Sequence, residues 1–147
     1  MSERLLFSKT LTGAQPKYVD YTPTYSAFTL GNGTATFKYA RIGQFCHLYG
    51  QITFGSTSSI SGNFTINLPF SCANEISGTS NCNGLLEDSG VAAYQAAFYF
   101  TGAGFFVGAL GVGGTYATHA IANATVPFTW GTNDVVRVNL VYKVANG

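Results

Sequence analysis

The stretch QFCHLYGQITF, residues 44–54, alternates strictly. Cys46, Leu48, Gly50, Ile52 and Phe54 fall on one side of an extended chain, and Phe45, His47, Tyr49, Gln51 and Thr53 on the other. A period of two is the signature of a β-strand, in which successive side chains point to opposite faces. The first set is apolar enough to be core. The second is aromatic too, so neither side reads as ordinary wet surface. Residues 134–144 repeat the pattern, with Val136, Val138, Leu140, Tyr142 and Val144 set against Val135, Arg137, Asn139, Val141 and Lys143.

Short apolar runs separated by turn residues extend the reading along the chain. Strands are expected over 34–40, 63–68, 83–87, 91–101, 105–110 and 116–121, with a loop at 55–62, a longer connection at 72–81 and a hairpin turn at Asp88-Ser89-Gly90. Seven or eight antiparallel strands in one domain predict an all-β fold, an antiparallel jelly-roll-like β-sandwich. Ahead of it, residues 1–33 carry Pro16, Pro23 and the turn signal Leu30-Gly31-Asn32-Gly33, and read as an irregular N-terminal arm or attachment segment. The sandwich is then residues 34–147.

Composition agrees. The chain has 147 residues, long enough for one sizeable core, and only 9% of them are charged, against about a quarter in an average domain. The net charge is +1 and the seven Lys and Arg are scattered, so no basic patch exists to release counterions from a nucleic acid or to hold an anionic membrane. Residues 91–114 are uncharged and long enough to span a bilayer, but Gln95, six glycines and the lack of flanking Lys or Arg argue against it. The first 20 residues do not form a signal peptide, which makes the cytoplasm the expected site of synthesis. In that compartment Cys46, Cys72 and Cys82 stay reduced, with a Cys72–Cys82 disulfide as the alternative. Without a secretory route, the glycosylation patterns beginning at Asn32, Asn63 and Asn123 carry no meaning.

Catalytic constellations are not found. Glu87 and Asp88 are neighbours on a strand and point apart, so they cannot flank one bond; Glu75 could approach from the preceding loop, as in a glycosidase. His47 and His119 form no spaced ligand set with the cysteines, and Cys46 beside His47 fails as a nucleophile–base pair for the same reason of alternation. The run Gly102-Ala103-Gly104-Phe105-Phe106-Val107-Gly108 is a turn leading into a strand, unlike the dinucleotide fingerprint. The expectation is a non-enzyme with no cofactor and no metal.

The distribution of charge is more informative. No Asp, Glu, Lys or Arg occurs between Arg41 and Glu75, or between Asp88 and Asp134. Either these strands present a Thr/Ser/Asn-rich solvent face, or sister copies of the chain cover one face, since interface cores are poor in charge and rich in aromatics. On the second reading Phe45, Tyr49, Tyr94, Tyr99 and Phe106 are the candidate oligomer interface, and closure of the oligomer protects exposed strand edges.

Residues 20–69 add a resemblance. The elements Tyr21-Thr22-Pro23-Thr24, Phe28-Thr29-Leu30-Gly31-Asn32-Gly33-Thr34, Tyr39, Arg41-Ile42-Gly43, Gly50 to Ser58 and Phe64 to Pro69 together follow the pattern YTPT…TLGNGT…Y.R.G…G.I.FGSTS…F.LP. That pattern is similar to a β domain of tailed-bacteriophage virion proteins, found at the ends of tail fibres and in small virion components. The likeness covers a third of the chain and brings no catalytic residues. It implies a virion protein made in the host cytoplasm, with assembly and attachment as its roles. The short length then favours a homotrimeric capsid decoration, or cement, protein that binds the major capsid protein or another virion protein and stabilises the assembled shell. In that role Leu5, Leu6, Phe7, Tyr18 and Tyr21 are the candidate attachment residues of the arm. The alternative is a small tail or fibre-tip protein that recognises host carbohydrate, with Tyr94, Tyr116 and Trp130 as stacking platforms.

Overall fold

A computed structural model describes residues 16–112 and 117–146. Eleven strands run in chain order: β1 Val19–Tyr21, β2 Tyr25–Thr29, β3 Thr34–Ile42, β4 Phe45–Thr53, β5 Ser59–Asn67, β6 Ser80–Asn81, β7 Gly84–Asp88, β8 Ala92–Phe100, β9 Gly104–Val112, β10 Ala117–Ile121 and β11 Val135–Lys143. Every pairing is antiparallel, and the spatial order is β1-β3-β4-β11-β7-β8-β9-β5-β2, with β10 beside β9 and β6 beside β8. The sheet curls on itself into a jelly-roll-like sandwich. One half is β1-β3-β4-β11-β7; the other is β8-β9-β5-β2 with β6 and β10.

The alternation of residues 44–54 becomes β4, with Cys46, Leu48, Ile52 and Phe54 buried. Its central partner is β11, whose Val136, Val138, Leu140 and Tyr142 meet β4 in register and face the same core. Phe64 and Ile66 of β5, Phe98 of β8, and Phe105 and Val107 of β9 close that core from the other half, all of them fully buried. Truncating a fully buried phenylalanine of this kind costs about 3–5 kcal/mol. Gly50 is the one small residue in the inward row of β4 because Phe37 of β3 lies across it; a Cβ there would stand 2.2 Å from the Phe37 ring.

Polar groups inside are tied down. The Tyr142 hydroxyl donates to the Phe70 carbonyl at 2.8 Å and accepts from the Phe70 amide at 3.3 Å. Burial, helped by Cys46 beside it, pushes its ionisation far above the ordinary tyrosine value. Asp134 is the only buried charged side chain among the described residues. Its Oδ1 accepts from the Ser89 amide at 2.9 Å and its Oδ2 from the Gly131 amide at 2.6 Å. A buried carboxylate is tolerable only with such donors.

The structure revises three local expectations. Part of the segment expected to be an irregular arm is strand: β1 pairs with β3, and β2 pairs with β5, so both belong to the sandwich. The loop expected at 55–62 gives way to β5 from Ser59 onward, its Ser and Gly residues lying on a strand that leans on β2. The 72–81 connection contains a 3-10 turn at Asn74–Ile76 and the short β6. The cysteines are all free, Cys46 and Cys72 buried and Cys82 exposed, so the alternative Cys72–Cys82 disulfide is not formed.

Candidate functional site

The outward face of the first half is built from the second set of residues in the alternation. Phe45 pairs with Ile42 of β3 on one side and Lys143 of β11 on the other, while His47 pairs with Ala40 and Val141. Ile42, Phe45 and Val141 are 51%, 50% and 59% exposed, large apolar side chains gathered at one end of the face. Beside them Tyr18, just ahead of β1, meets His47 and Tyr49 edge-on, at ring-centroid distances of 5.6 and 5.4 Å. The His47 ring bridges the Tyr18 hydroxyl and the Asn139 side chain. The other end of the face is polar. Thr34, Thr36, Gln51, Thr53 and Arg137 border a shallow groove of about 730 Å³ there.

Charges on this face are matched. Lys38 donates to Asp20 at 2.7 Å, which holds its ammonium above the ordinary lysine range, and Arg137 pairs with Glu87. At its margin Lys143 pairs with Glu75, whose carboxyl the lysine pulls below the usual glutamate value. These exposed pairs fix orientation more than stability.

On the outward face of the second half, Tyr99 of β8 and Phe106 of β9 are direct cross-strand partners, each half-buried. His119 of β10 stands edge-on to Tyr99 at 4.1 Å between centroids. Its ring lies over Gly108, where a Cβ would come within 2.4 Å of Nε2, so only glycine leaves the ring its seat. That Nε2 is buried without a hydrogen-bond partner, and burial lowers the pKa of the ring below the ordinary histidine value. These aromatics border a second groove, of about 780 Å³, that is also lined by Asn63, Ser77 and Asn123.

The residues expected to form one interface are thus divided. Phe45 and Tyr49 lie on the outer face of the first half, Tyr99 and Phe106 on the outer face of the second, with the core between them. Tyr94 joins neither: it pairs with the buried Leu86 and packs on Phe128 at the core margin. Trp130 stacks on Phe54 at 4.8 Å with 17° between planes, and its Nε1 donates to the Val126 carbonyl. Tyr94 and Trp130 therefore spend their rings on the core, and Tyr116 lies outside the described residues. Of the attachment residues, Leu5, Leu6 and Phe7 also lie outside them; Tyr18 is exposed, and Tyr21 is half-buried with its hydroxyl on the Asn67 carbonyl at 3.0 Å.

Of the acids considered for hydrolysis, Glu75 and Glu87 sit in separate ion pairs, and Asp88 opens the β7–β8 turn, its backbone carbonyl accepting the Val91 amide. Among the described residues no cluster of three His, Cys, Asp or Glu could hold a metal ion, and no helix is long and apolar enough to cross a membrane. His119, Asn63 and Asn123 were not singled out for a shared site by sequence reasoning, because three separate strands or loops bring them together.

No protein-family model matches the chain, and no curated protein or solved structure is significantly similar to it.

Proposed function

We propose that the chain is a virion structural protein of a tailed bacteriophage, most specifically a homotrimeric capsid decoration protein that binds the assembled shell through the major capsid protein. One observation carries the self-association: Ile42, Phe45 and Val141, each about half exposed, form an apolar cluster on adjacent strands of a face otherwise well satisfied. Exposed apolar clusters with aromatic neighbours mark surfaces that another protein covers. The assignment to a virion rests on the resemblance of residues 20–69 to the phage domain. Selective binding to the assembled shell would stabilise it by mass action, and three linked copies would multiply weak contacts.

Light scattering of the purified chain, joined to electron microscopy of phage particles with and without it, tests the reading. A trimer that falls to monomer on Phe45→Glu or Val141→Glu, and knobs missing from capsids that lack the chain, are the expected results. A monomeric wild type with no affinity for particles would overturn it. Density lost from the tail rather than the capsid would move the protein to the alternative location, a small tail or fibre-tip protein.

A further inference from the structure

The groove on the second half is distinct from the apolar cluster and has different chemistry. Its aromatic side is Tyr99 and Phe106, held as cross-strand partners, with His119 braced against Tyr99. The lining also holds groups that hydrogen-bond without charge. The Asn63 side chain and the Ser77 hydroxyl have no partner within the described residues, and Asn123 uses only its Oδ1, on Thr125. Among the described residues no Asp, Glu, Lys or Arg borders the groove.

Each feature narrows the occupant. A lining without charge offers nothing to a phosphate, a carboxylate or an ammonium group, and it would leave such a group desolvated and unpaired. Flat rings favour a ligand with an apolar face, whereas free amide and hydroxyl groups favour one rich in hydroxyls. Pyranose sugars carry both: C–H groups on one face and hydroxyls around the rim. The volume, about 780 Å³, lies within the ~300–1,000 Å³ of small-ligand sites. The ring of His119 fits the same reading. It is held in place over Gly108 with Nε2 unbonded, and burial keeps it neutral, so it adds an aromatic edge without adding a cation.

We infer that this groove, bounded by Tyr99, Phe106, His119, Asn63 and Asn123, is a binding site for a neutral oligosaccharide. Neither Tyr94 nor Trp130 of the alternative carbohydrate platform borders this groove, and the site does not depend on the trimer.

The isotope-labelled chain titrated with maltotriose, cellotriose and tri-N-acetylchitotriose, with trigalacturonate as the anionic control, tests the inference by amide chemical shifts. At about 10 mM sugar even a site with a Kd of about 1 mM is filled. At least one neutral trisaccharide should shift the amides of Asn63, Tyr99, Phe106, His119 and Asn123, and trigalacturonate should not. Phe106→Ala and the exposed Asn63→Ala should each weaken binding by about tenfold, and Tyr49→Ala on the opposite face should leave it unchanged. Because Asn63 is exposed, its variant keeps the test valid should Phe106→Ala fail to fold. The inference is overturned if no neutral trisaccharide moves these amides, if Asn63→Ala binds as tightly as the wild type, or if the groove amides respond only to protein concentration, which would make it a self-contact.

Discussion

The Tyr18 hydroxyl stands 2.6 Å from Nδ1 of His47. On the other side of the imidazole, Nε2 is 2.6 Å from Oδ1 of Asn139. An amide oxygen can only accept, so Nε2 carries the proton and the tyrosine hydroxyl donates to Nδ1. A chain of bonds therefore runs from the residue ahead of β1, through β4, to β11.

Tyr18→Phe removes the first link and keeps the ring packing. The loss of one exposed hydrogen bond is worth about 0.5–1.5 kcal/mol. Hydrogen exchange at the β1 amides should quicken by up to about tenfold, while β4 and β11 exchange as before. Unchanged exchange at β1 would mean that its ladder with β3 alone holds it.

Asp134 should be the most sensitive charged position in the sandwich. Its carboxylate joins the β7–β8 turn at Ser89 to the segment before β11 at Gly131. Asp134→Ala leaves two amide donors without their acceptor and should cost about 2–4 kcal/mol, read as a fall in the urea midpoint. Asp134→Asn, which keeps one acceptor, should cost about half as much. A loss smaller than about 0.5 kcal/mol in the alanine variant would show that other acceptors replace the carboxylate.

Acid should weaken the fold partly through His119. Burial holds its folded pKa below 6.5, so between the two values the unfolded chain binds more protons than the folded one. Stability from this source is intact above pH 6.5 and declines as pH falls through the folded value, below which the loss is complete. In His119→Gln the urea midpoint should vary less between pH 7.5 and pH 5 than in the wild type. Identical pH profiles would place the proton uptake elsewhere.

What the sequence revealed follows from where its pattern stays regular. β4 and β11 were legible because each alternates without interruption between the core and the outside. β2 was not. Ala27 adopts φ 57° at a bulge between Ser26 and Phe28, and the added residue turns both Tyr25 and Phe28 toward Phe64, a spacing of three that no strand period contains. The start of β5 was not legible because Ser59-Ile60-Ser61-Gly62 looks like a turn until β2 is seen beside it.

The division of the expected interface was partly available. Tyr94 and Tyr99 are five apart, an odd number, so on one strand they face opposite ways; Tyr99 is outward, as its partner Phe106 is. Pairing of distant strands was not available from the chain alone. Only the register of β8, β9 and β10 brings His119 over Gly108 and against Tyr99.

β1 and β2 occupy the two ends of the strand order, yet only residues 22–24 separate them, with Pro23 buried between. The two rims of the curled sheet are thus fastened by one short strap near the beginning of the described chain. Tension applied ahead of Tyr18 would act on both rims together, shearing β1 along β3 while pulling the strap against β2, instead of peeling a single hairpin. A segment anchored upstream could therefore bear load without opening the seam first.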